Sequence, residues 1–297
     1  MKRRGPWRGM LSGLLLMFGT LVHGLPGHAG GPELRQRYAQ LQPALQSSPF
    51  GKPLVIDSQE EQGRLVGEVH AILEHPFARV QQSMSQPPRW CDILILPFNT
   101  KYCHAVWTAE RTPALLVRIG RRPDQPVEQA FSLRFDYREL ASSADYFEAR
   151  LTADEGPVGT RDYRITISAI PLDGGRSFLR LSYAYGFGFA GRLAMQAYLA
   201  TAGADKVGFT RVEGPRGQDA LIGGMRGAVE RNAMRYYLAI DAFMDSLDAP
   251  PARQAERRIE AWFDATERYP RQLREMDRQT YVAMKRHEVE RQQVLLQ

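Results

Sequence analysis

Residues 131–137 alternate strictly. Phe131, Leu133, Phe135 and Tyr137 fall on one side of an extended backbone, and Ser132, Arg134 and Asp136 fall on the other. A period of two marks a strand with one buried face. Strands are also predicted over 102–108, 114–119, 146–152, 163–170 and 178–185, with Asp173, Gly174 and Gly175 as a hairpin turn between the last two. Upstream, 54–56 and 65–73 read as two strands joined by the polar residues Glu60 to Gly63. In the second of these, Val69, Ala71 and Leu73 alternate with Glu68, His70 and Ile72.

Helical spacing marks the remaining segments. Leu34, Tyr38, Leu41 and Leu45 predict a short helix over 32–45, and Pro43 is expected to end it a turn early. His75, Pro76 and Phe77 open a second short helix with Phe77, Val80 and Met84 inward. Pro87 and Pro88 are expected to stop it, leaving strands and turns up to about residue 189. A short helix follows over 192–201, then a glycine-rich link through Gly217. A long amphipathic helix covers 221–247, with the stripe Met225, Val229, Asn232, Tyr236, Ile240, Phe243 and Leu247. Pro250 and Pro251 end it. Two Arg/Glu-rich helices are predicted over 252–269 and 271–293, with Trp262, Phe263, Tyr269, Met276, Tyr281 and Met284 on their apolar side.

Successive strands with short turns imply an antiparallel meander with one apolar face, and that face and the long helix's stripe must bury each other. The expected fold class is α+β: a curved antiparallel sheet wrapped around a long C-terminal helix, plus extra C-terminal helices. Periodicity does not decide whether the enclosed space is filled or hollow.

Charge and cysteine content narrow the function. The 297 residues are 43% hydrophobic and 24% charged, which is globular composition. Of the formal +6, four charges come from Lys2, Arg3, Arg4 and Arg8, leaving +2 for the rest, too little to indicate a nucleic-acid partner. Residues 1–29 have the order of a secretory signal: a basic start, an apolar run over 10–22, and small residues at Gly27, Ala29 and Gly30. The run is shorter than the roughly 20 residues of a membrane span, although an uncleaved anchor stays open. The expectation is an exported protein, periplasmic in a bacterium. An oxidising compartment permits Cys91 and Cys103, the only cysteines, to pair; two separately buried thiols are the alternative.

Several residues resemble a known family. The run from Gly67 to Val80, with Pro76, Phe77 and Val80 at a helix start, is similar to the opening of START-like (helix-grip, SRPBCC-type) proteins. The segment Arg89 to Leu94, centred on Trp90, and the long helix around Glu230 to Tyr237 stand where such proteins carry a Trp-centred segment and a closing helix. The resemblance spans about 65–247 and divides the chain into a leader (1–29), a helix-grip domain (30–249) and a helical extension (250–297). It implies a deep apolar cavity for a lipid or other hydrophobic small molecule, in a carrier or sensor, or less often an enzyme.

Candidate ligand-binding residues are the aromatics around the cysteines (Trp90, Phe98, Tyr102, Trp107), the strand aromatics Phe131, Phe135, Tyr183 and Tyr185, and Asn232 and Tyr236 on the long helix. Each has a plainer reading as core or, for Tyr183 to Phe189, as a bend in the sheet. Arg134 and Arg180 are expected to face solvent. The link between Gly203 and Gly217 is expected to be the mobile lid. The C-terminal helices are expected to cover the sheet, touch a membrane transiently or bind a partner. No catalytic pair, metal spacing, nucleophile elbow or cofactor motif stands out, so no catalytic residue, metal or cofactor is expected. An enzyme acting on an apolar substrate in the same cavity, and a ligand-free interaction protein, are the alternatives.

Overall fold

The computed structural model describes residues 30–294, apart from residues 123, 202, 204, 215 and 216. The predicted secretory leader, 1–29, lies outside the described residues. Eight strands form one antiparallel sheet: β1 (Leu54–Glu61), β2 (Arg64–Leu73), β3 (Thr100–Trp107), β4 (Pro113–Ile119), β5 (Phe131–Ser142), β6 (Phe147–Glu155), β7 (Thr160–Leu172) and β8 (Arg176–Phe187). Their order is β1-β2-β8-β7-β6-β5-β4-β3. From β3 to β8 each strand pairs with its successor, and β2 then joins β8, so the β2–β3 connection must cross the sheet. Two short helices, α2 (Phe77–Met84) and α3 (Pro87–Leu94), make that crossing.

Local chemistry explains the turns and irregularities. Gly174 and Gly175 both have positive φ (74° and 71°), the conformation a tight β7–β8 hairpin needs. The β7–β8 register shifts between Arg161 and Arg164, and Arg161 there faces Gly186. A bulge opposite a glycine lets a sheet bend, and this one falls beside the aromatic-glycine end of β8.

Proline was misread twice. Pro43 sits within α1 (Gly30–Gln46) without ending it. The missing N–H would have served Ala39, whose carbonyl is on an exposed stretch of helix where water replaces it. Pro87 and Pro88 do not merely follow a helix; they open α3 from its first positions, where a proline lacks a donor the helix does not need. Trp90 and Cys91 therefore lie on a helix, and Cys91 is bonded to Cys103 on β3, with 5.1 Å between the Cα atoms.

After β8 come α4 (Phe189–Ala200), a small hairpin of β9 (Arg211–Glu213) and β10 (Asp219–Leu221), and the long α5 (Gly224–Ser246). The apolar face of the sheet wraps α5, as the helix-grip pattern requires. Gly67 makes the closest approach possible: a Cβ there would lie 2.9 Å from the Val229 carbonyl oxygen. α5 is buried almost all round, which a single stripe did not predict. Its outer side is covered by α6 (Pro251–Glu267), and α7 (Pro270–Leu273) and α8 (Arg278–Arg291) follow. Trp262 of α6 donates from Nε1 to the Arg235 carbonyl at 3.0 Å, and Tyr281 of α8 donates to the Leu96 carbonyl at 2.9 Å. The last predicted helix is thus broken in two, and α8 starts afresh where Asp277 accepts from the Thr280 N–H at 2.9 Å.

A buried ionic cluster locks α8 to the loop before β3. Lys285, fully buried, donates to the carbonyls of Pro97 (2.8 Å) and Thr100 (2.9 Å) and to Glu288 (2.7 Å). Glu288 also lies 3.1 Å from the Lys101 ammonium. Burial pushes the Lys285 ammonium down to about 8, against the attraction of Glu288. On the opposite face of the sheet, α1 packs over Ile170 and Phe178 and forms a second, smaller core.

Candidate functional site

The space between sheet and α5 is hollow at one end. A cavity of about 660 Å³ opens there, within the roughly 300–1,000 Å³ of small-molecule sites. Its apolar wall comes from alternate residues of β4 and β5, namely Val117, Ile119, Phe131, Leu133 and Phe135. The strand period that buries these side chains also aims them all at one volume. α5 supplies Ala228, Arg231, Asn232, Arg235 and Tyr236 from one side of the helix. The end of α3 adds Leu94, the loop after it Phe98 and Asn99, and the start of β3 Thr100, while α4 adds Gly191, Ala194 and Met195.

Four tyrosines converge at the β7–β8 side. Tyr163 and Tyr185 stack at 5.4 Å between ring centroids, Tyr183 lies 5.2 Å from Tyr236, and Tyr163 lies 6.2 Å from Tyr183. The Tyr163 hydroxyl shares a 2.8 Å hydrogen bond with Thr160 Oγ1. Burial pushes the phenols of Tyr183, Tyr185 and Tyr236 above their ordinary range, and the Tyr163 hydroxyl adds to the effect on each. They stay neutral and present hydroxyls among aromatic faces, a surface suited to an apolar body with a few polar groups.

α5 and the loops share the polar groups: Arg231, Asn232 and Arg235 on the helix, and Asn99, Arg121 and Gln125 on the loops. Asn232 Oδ1 accepts from Arg235 Nη1 at 3.3 Å, and Arg235 Nη2 donates to Glu275 at 2.5 Å. The Arg235 guanidinium also lies over the Phe98 ring, 5.2 Å from its centroid. Arg231 Nη1 donates to the Val207 carbonyl at 3.4 Å.

Of the ten sequence-predicted site residues, the cavity brings together Phe98, Phe131, Phe135, Tyr183, Tyr185, Asn232 and Tyr236. Three lie elsewhere. Trp90 is buried in the core, where its Nε1 donates to the Met84 carbonyl at 2.9 Å, beside the Tyr137 hydroxyl on the same acceptor at 3.1 Å. It satisfies the end of α2 rather than a ligand. Tyr102 is buried under the C-terminal segment and donates to the Val294 carbonyl at 2.8 Å. Trp107, 56% exposed, ends β3. All three were grouped with Phe98 through proximity to the cysteines in sequence, which says nothing of direction. Arg134 pairs with Asp136 and Arg180 with Glu68.

Sequence reasoning missed Arg231, Arg235, Tyr163 and the loop residues Arg121, Gln125 and Gln129. Two arginines one turn apart, on either side of Asn232, were the available signal. Within the link expected to be the mobile lid, residues 209 and 210 are tied down. The carboxylate of Glu230, itself buried, accepts from the N–H groups of Phe209 (2.6 Å) and Thr210 (2.9 Å), the Thr210 hydroxyl (2.7 Å) and the Ser58 hydroxyl (2.7 Å). Those bonds pin the stretch 208–210 to α5. Val158 (52%), which lines the cavity, is exposed, as are Phe189 (86%) and Leu193 (58%) on α4, the helix that supplies Gly191, Ala194 and Met195 to the lining. Among the described residues, no helix is long and apolar enough to cross a membrane, and no group of three His, Cys, Asp or Glu side chains is placed to hold a metal ion.

No family model matches the chain, and no curated protein is a significant match. Solved structures do match in fold. Human StAR-related lipid transfer protein 5 aligns over 74% of this chain and 99% of its own, at 8% identity and a TM-score of 0.37. Human StarD13 lipid transfer and protein localization domain aligns over 53% and 88%, at 11% identity and 0.32. A norcoclaurine synthase point mutant from Thalictrum flavum aligns over 49% and 90%, at 14% identity and 0.34. These alignments are a similarity at low TM-score; the chain's own elements are an eight-stranded antiparallel sheet and the long helix α5, an α+β arrangement.

Proposed function

We propose that this is an exported protein that binds one lipid or other hydrophobic small molecule in the cavity between the sheet and α5, and acts as a carrier. The observation that carries this reading is the 660 Å³ hollow between the sheet and α5, whose wall includes a row of aromatic and aliphatic side chains from β4 and β5. The driving force is desolvation, about 25 cal/mol for each Å² of apolar ligand surface removed from water. The tyrosine hydroxyls and the polar groups of α5 then select the head.

Export is supported by the leader-like start and by the Cys91–Cys103 bond, since disulfides persist in oxidising compartments. Loading at a membrane surface is supported by the exposed apolar side chains of Val158, which lines the cavity, and of Phe189 and Leu193 on α4. The C-terminal helices, packed on α5 and on the loop before β3, are part of the scaffold in this reading. Titration with a fluorescent lipid tests the cavity. The unmodified protein is expected to bind it at one site, and Ala228→Phe, which puts a ring into the hollow, is expected to weaken binding at least tenfold. Equal binding by both proteins would place the lipid elsewhere and overturn the reading.

A further inference from the structure

A hydroxyl has one proton to donate, and in the tyrosine corner of the cavity two of those protons have no acceptor. Thr160 Oγ1 donates to the Pro157 carbonyl, so in its 2.8 Å bond with Tyr163 it must accept, and the Tyr163 proton is used there. Tyr183, whose ring lies 6.2 Å from that of Tyr163, is hydrogen-bonded to Tyr163 and gives its own proton to that oxygen. The hydroxyls of Tyr185 and Tyr236 line the same hollow and have no hydrogen-bond partner among the described residues. Tyr185 is only 2% exposed, and its ring rests 5.4 Å from that of Tyr163 and 5.8 Å from that of Tyr183. Tyr183 in turn meets the Tyr236 ring at 5.2 Å. Burial keeps both phenols above their ordinary range, so at neutral pH both hold the proton they would donate.

Water satisfies such hydroxyls while a hollow is open to solvent. An apolar body that fills the corner expels that water, and a buried donor left without an acceptor is costly. A pure hydrocarbon therefore strands both protons. The geometry points to an apolar ligand that carries a neutral oxygen, a hydroxyl or a carbonyl, seated in this corner as the acceptor for Tyr185 and Tyr236. This rests on the ligand-binding reading above and narrows its ligand class. The apolar body then lies along Val117, Leu133 and Phe135. A charged head fits less well, because a carboxylate among these rings exchanges its hydration for neutral donors alone. The arginines of the cavity are already engaged, Arg235 with Asn232 and Glu275, and Arg231 with the Val207 carbonyl.

The test compares polyene probes that differ at one end: retinol, with a hydroxyl; anhydroretinol, with no oxygen; and retinoic acid, charged at neutral pH. Quenching of the protein's intrinsic fluorescence follows each of them. Retinol is expected to bind about tenfold more tightly than anhydroretinol, the factor that one or two hydrogen bonds supply, and more tightly than retinoic acid. Tyr185→Phe and Tyr236→Phe each remove a hydroxyl and keep the ring. Each is expected to cut the retinol preference by about threefold or more while leaving anhydroretinol affinity unchanged. Tyr38→Phe, on α1 across the sheet, is expected to keep the preference. Equal affinity of retinol and anhydroretinol in the unmodified protein, tighter binding of retinoic acid, or a preference that survives both substitutions overturns the inference while leaving the lipid-binding cavity standing. Failure of every probe to bind removes both.

Discussion

Lowering the pH is predicted to unfold this protein partly through one histidine. His70 lies on the face of β2 that α1 covers, 1% exposed, with its ring stacked on Phe178 at 6.0 Å. Its Nδ1 is buried without a hydrogen-bond partner. Burial holds the imidazole down to about 4, with Arg37 and Arg180 acting in the same direction and Glu68 against them. In the unfolded chain the same group takes up a proton near 6.5. Between those values the unfolded state binds more protons, so stability is full above about pH 6.5, falls as pH drops, and stops falling below about 4. At 1.36 kcal/mol per pKa unit the loss is on the order of 3 kcal/mol. The assay is urea unfolding of the unmodified protein and His70→Gln at pH 7, 6, 5 and 4.5. The stability difference between the two proteins should shift against the unmodified one by most of that amount. A histidine C2–H resonance followed by NMR should titrate near 4. A difference that stays constant with pH, or a resonance titrating near 6.5, refutes the argument.

Other outcomes follow from the packing. Glu288→Gln leaves the buried ammonium groups of Lys285 and Lys101 without their carboxylate, and is expected to destabilise by about 3–5 kcal/mol in denaturant melts. Gly67→Val drives a side chain against the Val229 carbonyl, and is expected to lower stability by about 1–3 kcal/mol or more and to reduce lipid uptake as α5 is pushed from β2. Replacing Cys91 and Cys103 by Ser releases a short loop, for a loss of about 3 kcal/mol in the chain-entropy picture, measurable as a lower urea midpoint with an intact fold in far-UV circular dichroism.

Much of the architecture is legible in the chain because strand periodicity is a local signal. Leu133, Phe135 and Tyr137 alternate with polar residues and are buried as their spacing requires, and Asp173 to Gly175 turn as expected. Phe131, first in that row, is 38% exposed because it stands at the cavity mouth rather than in the packed core. The start of α3 was hidden because a Pro-Pro pair signals a stop and an N-terminus alike. The site was harder to read. Phe98 faces the cavity while Trp90 and Tyr102, each next to a cysteine in sequence, do not, and only the path of the chain from α3 to β3 decides which. The hollow itself depends on volumes left over after packing, which no residue pattern encodes. Arg231 and Arg235 fall outside the apolar stripe read from the sequence, and both are buried because α5 is covered on nearly every side.

Native mass spectrometry of the protein purified from its own compartment tests the central claim most directly. A bound hydrophobic molecule should appear at one copy per chain and be lost in Ala228→Phe. Protein that is consistently free of ligand, in a variant-independent way and after incubation with lipid extract, contradicts the account.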